Sequence, residues 1–219
     1  MAILLQRQIE QLKQRVLYEG AMVEGAIAKA VTALVNRDEA LARRVFAEDL
    51  EIDRMEVEIE EECLKLLALY QPVAGDLRFV VAVLKMNNDL ERMGDLAKNI
   101  AKRVVYLCRA EPVDLQIDFR PMAAKAQDMV KRSLDALVNA DAALANQVRQ
   151  DDDALDEMRR QIHERLRAAI RANPNQVDTL LKLYSVAKHL ERLGDMATNI
   201  AEDVIYMVEG EIVRHQEAD

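Results

Sequence analysis

Apolar side chains recur every three or four residues along most of the chain, which is the spacing of one buried face of an α-helix. The clearest run lies at Val83, Met86, Leu90, Met93, Ala97, Ile100, Val104 and Leu107. Only six glycines and four prolines interrupt the chain, so the helical segments are long. The pattern predicts an all-α protein with six helices, most of about 30 residues and about 45 Å in length.

An internal duplication divides these helices into two sets of three. Residues 90–101 reappear as residues 190–201, and residues 33–42 reappear as residues 136–145. The offset between the copies changes from 103 to 100, so three residues are lost in the Pro-containing loop between the second and third helices. The sequence therefore predicts two tandem antiparallel three-helix bundles related by internal duplication, with residues 1–110 in the first and residues 111–219 in the second.

Turn-forming residues mark the ends of the predicted helices. Residues 36–38 and their repeat, residues 139–141, each end in an aspartate that can cap the following helix. Residues 111–114 form the predicted linker, Pro121 suits the first turn of the fourth helix, and Gly210 suits the end of the last. The fifth helix is predicted to run unbroken from the second of these turns to the loop around Pro174.

Pairs of carboxylates one helical turn apart recur at equivalent places in the two repeats. The last helix of each repeat carries an ExxxD motif and the middle helix a DxxxD motif: Glu91 and Asp95 with Asp49 and Asp53, then Glu191 and Asp195 with Asp152 and Asp156. Side-by-side packing of these helices would bring the four carboxylates of each repeat together. Like charges at this spacing repel by about 0.2–0.5 kcal/mol per pair, so we expect bound cations to compensate them.

The metals that such a site would take follow from its oxygen ligands. Carboxylates suit hard cations such as Mg²⁺, Mn²⁺, Ca²⁺ or ferric iron, and bridging carboxylates can support a multinuclear cluster. The candidate ligands are Asp49, Asp53, Glu91, Asp95, Asn99, Asp152, Asp156, Glu191, Asp195, Asn199 and Asp203. The alternative is that these groups are solvated charges paired with arginines such as Arg54, Arg92 and Arg192.

The two repeats differ in the charges beside the ExxxD motif. The first repeat has Lys98, Lys102 and Arg103 where the second has Thr198, Glu202 and Asp203. The first repeat can therefore neutralise part of its own acidic charge, whereas no such cation follows the motif in the second. We predict that the second repeat holds metal more firmly.

Gly94 and Gly194 interrupt the apolar stripes of the last helices. Glycine inside a helix costs about 1 kcal/mol relative to alanine. Two interpretations are open at these positions. Either the helix tolerates the glycine, or a neighbouring helix or ligand approaches too closely for a side chain.

Several classes of function lack support in the sequence. The formal net charge of −9 repels nucleic-acid phosphates, so no nucleic-acid partner is expected. The longest apolar run, residues 79–84, is far shorter than the roughly 18 residues of a membrane span, so we expect a cytoplasmic protein that reaches the membrane only through partners. Two isolated cysteines give no thiolate site, and of the three histidines only His163 is a candidate ligand. No nucleophile or metalloprotease motif is present, and an enzyme is not expected.

These motifs, taken in order, resemble those of the PhoU family of phosphate-uptake regulators. The resemblance rests on residues 71–78 (QPVAGDLR), 90–95 (LERMGD), 190–195 (LERLGD) and 199–203 (NIAED), and it spans roughly residues 5 to 210. It implies two three-helix bundles that bind clusters of iron, zinc, manganese or magnesium through E/DxxxD motifs. Many relatives carry histidine directly after the Gly-Asp pair, where this chain has Leu96 and Met196, so the metal and the number of ions stay open.

The resemblance also implies a role and partners. It implies a non-enzymatic adaptor that negatively controls phosphate uptake and the phosphate-starvation response. The implied partners are the ATP-binding subunit of the phosphate ABC transporter, the phosphate-sensing histidine kinase and, in a homodimer, a second copy of the chain. Two alternatives remain open from the residues themselves: a carboxylate-metal enzyme, either a phosphohydrolase or an oxidase, and a purely structural helical scaffold.

Overall fold

A computed structural model describes residues 2–113, 115, 117–211 and 213. Its helices are α1 (Ala2–Asn36), α2 (Glu39–Tyr70), α3 (Ala74–Arg109), α4 (Arg120–Asn139), α5 (Ala142–Gln150), α6 (Asp152–Ala172) and α7 (Val177–Glu209), with one 3₁₀ turn at Pro174–Gln176. No strand occurs in this part of the chain. Helices α1–α3 form the first unit and α4–α7 the second, so the predicted all-α pair of three-helix bundles is confirmed.

Equivalent caps begin the second helix of each unit. The Asp38 side chain accepts a hydrogen bond of 2.9 Å from the Leu41 amide, and the Asp141 side chain accepts one of 2.9 Å from the Leu144 amide. A carboxylate here satisfies a backbone N–H that has no partner in the first turn of a helix. The predicted Gly210 terminus is also confirmed, because Gly210 ends α7 with a left-handed φ of 79°.

The prediction of an unbroken fifth helix is wrong. The helix breaks at Asp151, so that α5 and α6 together take the place of α2. Three aspartates stand in a row at positions 151–153, and aspartate has a low helix propensity. The Asp151 carboxylate also forms ion pairs with Lys125 and Arg132 of α4. These ion pairs fix the position of the break beside α4.

The linker between the units joins α3, which ends at Arg109, to α4, which begins at Arg120. Pro121 lies in the first turn of α4, as predicted. The sequence-based boundaries between residues 110 and 111 and the assignment of residues 111–114 to a linker stay predictions. Those boundaries include Met1, Asp114, Gln116, Ile212 and residues 214–219, which lie outside the described residues.

The apolar stripes pack into one connected core that runs through both units. All eight residues of the predicted stripe on α3, from Val83 to Leu107, are buried. Helices α3 and α7 lie antiparallel against each other at the centre of this core. Two equivalent polar contacts cross their interface: Lys85 Nζ lies 3.2 Å from Asp203 Oδ1, and Arg103 Nε donates to Ser185 Oγ at 3.1 Å. Since Ser185 and Asp203 repeat Lys85 and Arg103, the duplication is visible in the packing.

Candidate metal centres

Two glycines set the distance between the helices that carry the acidic motifs. A Cβ atom built on Gly94 would lie 3.1 Å from Ile52 Cδ1 of α2, and one built on Gly194 would overlap Leu155 of α6. Ile52 lies between Asp49 and Asp53, and Leu155 lies between Asp152 and Asp156. Of the two interpretations of the glycines, close approach of a neighbouring helix is therefore the right one. It brings each DxxxD motif beside its ExxxD motif.

The first-unit cluster consists of Asp49, Asp53, Glu91 and Asp95. Asp49 is 2% exposed and forms an ion pair with Lys98 of α3, whose Nζ also lies 3.4 Å from Asp95 Oδ1. Burial raises the pKa of Asp49 even though Lys98 opposes the shift, and the charges of Asp53 and Asp95 raise it further. Burial and the charges of Asp95 and Asp53 likewise raise the pKa of Glu91. The four carboxylates therefore repel one another in a shared space between α2 and α3.

The second-unit cluster consists of Asp152, Asp156, Glu191 and Asp195. Burial raises the pKa of Asp195 to about 6, and the charges of the other three carboxylates add to the shift. Burial and Asp156 also raise the pKa of Asp152, while a hydrogen bond of 3.4 Å from Thr198 Oγ1 lowers it. This cluster therefore has the same composition and the same mutual repulsion as the cluster of the first unit.

A basic side chain forms an ion pair within each cluster, but it comes from a different position in each unit. Lys98 pairs with its acidic neighbours as the sequence suggested, and its counterpart Thr198 carries no charge. In the second unit Arg159 of α6 supplies the cation, because its Nε lies 3.0 Å from Glu191 Oε1. The expectation that only the first unit neutralises part of its acidic charge is therefore wrong, although no cation follows the motif in the second unit. The order of metal affinity between the units stays a prediction.

Of the three outer candidates, Asp203 faces away from the carboxylate clusters, and the two asparagines have no contact with them among the described hydrogen bonds. Asn99 accepts a hydrogen bond of 3.4 Å from Lys102, and Asn199 is exposed. Asp203 is 2% exposed and faces Lys85 of α3 across the interface between the units. An i,i+4 step advances by about 40° around a helix, so three such steps from Glu191 turn Asp203 by about 120° away from the cluster. The line of oxygens along α7 is therefore a spiral rather than one face.

Two further acidic residues of the first unit belong to none of the predicted motifs. Glu19 of α1 is 0% exposed, and neither of its carboxylate oxygens has a hydrogen-bond partner. Burial, with the charges of Glu56 and Glu91, raises its pKa to about 8. Glu56 of α2 lies one turn beyond Asp53. A signal for Glu19 existed in the sequence, because it falls on the apolar stripe of α1 between Val16 and Val23.

The donor set is chemically suited to a hard cation, since it consists of carboxylate and amide oxygens. Within the described ranges, no three His, Cys, Asp or Glu side chains are arranged to hold a metal ion. His163 packs against Tyr184, with ring centroids 5.1 Å apart. Metal binding by the two clusters therefore stays a prediction, with Asp49, Asp53, Glu91 and Asp95 and their counterparts as the ligands that the packing brings together.

A separate cavity of about 800 Å³ lies beneath the linker. It is lined largely by apolar side chains, among them Leu107 of α3, Phe119 and Leu183 of α7. None of the predicted metal ligands lines it. The carboxylate clusters and this cavity are therefore distinct features. No helix in the described part of the chain is long and apolar enough to span a membrane.

Comparison with known proteins matches this architecture. The PhoU domain family matches twice, over residues 18–104 and 119–204. A phosphate-specific transport system accessory protein PhoU homolog from Aquifex aeolicus is 39% identical over 210 residues, covering 96% of this chain and 95% of that protein. A homolog of the same name from Pseudomonas aeruginosa is 37% identical, and the match covers 86% of that protein.

Solved structures agree with the sequence comparison. The crystal structure of PhoU from Pseudomonas aeruginosa superimposes with a TM-score of 0.91 at 36% identity, covering 94% of this chain and 99% of that one. The phosphate transport system regulatory protein PhoU from Streptococcus pneumoniae superimposes with a TM-score of 0.84 at 28% identity, covering 95% of this chain and 99% of that one. The double three-helix fold with an acidic cluster in each unit defines a class of duplicated helical-bundle proteins. The chain belongs to the PhoU family.

Proposed function

We propose that this chain is a regulatory adaptor that negatively controls phosphate uptake and the phosphate-starvation response without catalysing a reaction. Its partners in this proposal are the ATP-binding subunit of the phosphate ABC transporter and the phosphate-sensing histidine kinase. The observation that carries the proposal is the likeness of both units, over nearly the full chain, to proteins named for an accessory or regulatory role in phosphate transport. Such an adaptor acts through its surfaces, and the exposed surface of α2 is suited to docking a partner.

An exposed row of apolar side chains runs along α2. Leu50 is 58% exposed, Val57 50% and Leu64 54%. Residues seven apart lie within about 20° of one another around a helix, so the three side chains share one face. A row of this kind on a helix that already packs against α1 and α3 is suited to a further helix or groove of a partner.

The charge around this row indicates the chemistry of that partner. Helix α2 contains ten acidic residues against four basic ones. Glu51, Glu58 and Glu61 are exposed beside the apolar row. A surface of this kind attracts a basic, apolar face and repels an acidic one. We assign this row to the ATP-binding subunit, and we take the first-unit cluster to hold metal that fixes α2 against α3 while the row is engaged.

Binding of the purified ATP-binding subunit from the same organism to the immobilised chain tests this assignment. The test variant carries Leu50→Ser, Val57→Ser and Leu64→Ser. The matched control carries Val35→Ser, Leu181→Ser and Val208→Ser, which also remove exposed apolar side chains but lie outside α2. We expect the α2 variant to bind at least about tenfold more weakly and the control to bind like the unmodified chain.

Two results would count against the proposal. Absence of binding by the unmodified chain would contradict the adaptor role. Equal binding by both variants, with the α2 variant converted from dimer to monomer in size-exclusion chromatography, would assign the row to a second copy of this chain instead.

A further inference from the structure

The first unit contains a buried polar site that has no counterpart in the second. We call Glu19 of α1, Glu56 of α2 and Asn87 of α3 the inner site. Glu19 is 0% exposed with both carboxylate oxygens unpartnered, and Asn87 is 1% exposed with its side-chain oxygen unpartnered. The Asn87 amide nitrogen donates to the backbone carbonyl of Glu56 at 2.9 Å. All three helices of the first unit thus contribute a buried or half-buried polar residue to the inner site.

Buried oxygens without partners are expensive. An unsatisfied buried acceptor costs about 1–3 kcal/mol, and a charged one costs more. Glu19 also lies within electrostatic range of Glu56 and Glu91, so its nearest charges are repulsive. Lys98 pairs with Asp49 and Asp95, at the end of the first-unit cluster away from Glu19 and Glu56. A proton relieves the charge of Glu19 at neutral pH, since its pKa is raised to about 8, and a bound cation in place of that proton would also satisfy the unpartnered oxygens.

The duplication provides a comparison within the same molecule. The counterparts of Glu19, Glu56 and Asn87 in the second unit are Met122, Arg159 and Ala187. Met122 and Ala187 are buried and apolar, so no orphan oxygen arises there. Arg159 reaches Glu191, the counterpart of Glu91, at 3.0 Å. The second unit therefore places an arginine where the first places a carboxylate.

We propose that the inner site of the first unit binds a hard divalent cation, which takes the place that the Arg159 guanidinium occupies in the second unit. The carboxylates of Glu19, Glu56 and Glu91 and the amide oxygen of Asn87 supply oxygen ligands from all three helices of the first unit. Glu56 and Glu91 are half-buried and have flexible side chains, so a change of rotamer on metal binding can turn their carboxylates toward Glu19. This site borders the first-unit cluster and shares Glu91 with it, whereas Glu19, Glu56 and Asn87 lie outside the DxxxD and ExxxD motifs. It does not depend on the adaptor role.

Titration of Mn²⁺ into the metal-free, full-length chain tests the site. Glu19→Gln keeps the shape of the side chain and removes its charge, and it relieves an unpaired carboxylate, so we expect a folded variant. We expect Glu19→Gln to lose one class of Mn²⁺ sites, or to weaken it by about tenfold or more, and to reduce the rise in Tm that Mn²⁺ causes. The matched control, Met122→Gln, places the same side chain at the equivalent position and should bind Mn²⁺ like the unmodified chain.

A reciprocal pair sharpens the test. Glu56→Arg gives the first unit the arginine of the second, so we expect loss of the same class of Mn²⁺ sites. Arg159→Glu should give the second unit an extra Mn²⁺ site or strengthen Mn²⁺ binding there. Binding of Mn²⁺ by Glu19→Gln with the stoichiometry and affinity of the unmodified chain would overturn the proposal. Loss of Mn²⁺ in Asp195→Asn reports on the second-unit cluster alone, so the two ideas fail separately.

Discussion

Gly194 of α7 lies directly against the side chain of Leu155 of α6, at the level where four carboxylates of the second unit meet. The equivalent contact in the first unit joins Gly94 to Ile52. Each glycine lets the middle helix approach the last helix, and each approach brings a DxxxD motif to an ExxxD motif. The glycine, the apolar residue and the carboxylates thus form one structural unit, which occurs twice.

Substitution of these glycines should therefore separate the helices. We expect Gly194→Ala to lower the free energy of unfolding by about 1–2 kcal/mol, because overpacking outweighs the gain in helix propensity. Gly94→Ala should cost less, since its new Cβ would sit 3.1 Å from the tip of Ile52. Gly25→Ala of α1 is the matched control: no atom lies within 4 Å of its Cβ position, so we expect a gain of up to about 1 kcal/mol. Urea unfolding of the three variants measures these differences, and equal values would contradict the steric account.

Exchange of Lys98 and Thr198 should shift metal affinity between the units. Lys98→Thr removes the cation that pairs with Asp49 and Asp95, so we expect tighter Mn²⁺ binding by the first-unit cluster and lower stability without metal. Thr198→Lys should weaken Mn²⁺ binding by the second-unit cluster. Calorimetric titration of each single variant gives the direction. A change of the same sign in both variants would contradict the idea that Lys98 competes with metal.

The interface between the units should depend on the pair formed by Lys85 and Asp203. Lys85→Met removes the cation that lies 3.2 Å from the carboxylate of Asp203, which is 2% exposed. We therefore expect the free energy of unfolding to fall by about 1–3 kcal/mol. Adding Asp203→Asn to Lys85→Met should make this loss of stability smaller, because the double variant leaves no charged carboxylate without Lys85. A double-mutant cycle measures the coupling. Simple additivity of the two effects would show that the pair contributes nothing.

The stability of the metal-free protein should fall as the pH rises through the range in which Asp195 ionises. The pKa of Asp195 is raised from 3.8 to about 6 in the fold, so the folded state binds the proton more tightly than the unfolded state. Its contribution is therefore most favourable below pH 4 and is lost between pH 4 and 6. Asp195 is partly exposed, and after allowance for solvent screening we expect an effect on the order of 1 kcal/mol. Unfolding of the unmodified chain and of Asp195→Asn across this range, with chelator present, isolates the effect; a steeper fall in the variant would contradict it.

Much of the fold follows from local and periodic signals in the sequence. The stripe on α3 is buried as a 3.6-residue period requires, and Asp38 and Asp141 cap α2 and α5. The break at Asp151 could not be derived in the same way. It depends on ion pairs with Lys125 and Arg132, which are distant in sequence and come together only in the bundle.

In the candidate site, too, local sequence patterns predict some residues, whereas others depend on contacts between helices. The four carboxylates of each cluster could be predicted, because their spacing and their repetition are both visible in the sequence. The sequence also predicts Asp203 as a ligand because an i,i+4 line looks straight in one dimension, although it turns around the helix. Arg159 belongs to no motif, since it acts through an ion pair with Glu191 of another helix. Glu19 belongs to none either, since only its burial and the charges of Glu56 and Glu91 mark it out.

The most direct test of the central claim, that carboxylates from adjacent helices converge to bind cations, is a calorimetric titration of Mn²⁺ into the metal-free chain and into a variant with Asp95→Asn and Asp195→Asn. We predict binding by the unmodified chain and a loss of about tenfold or more in affinity in the variant. Equal Mn²⁺ binding by the two proteins, or no binding by the unmodified chain, would contradict the claim.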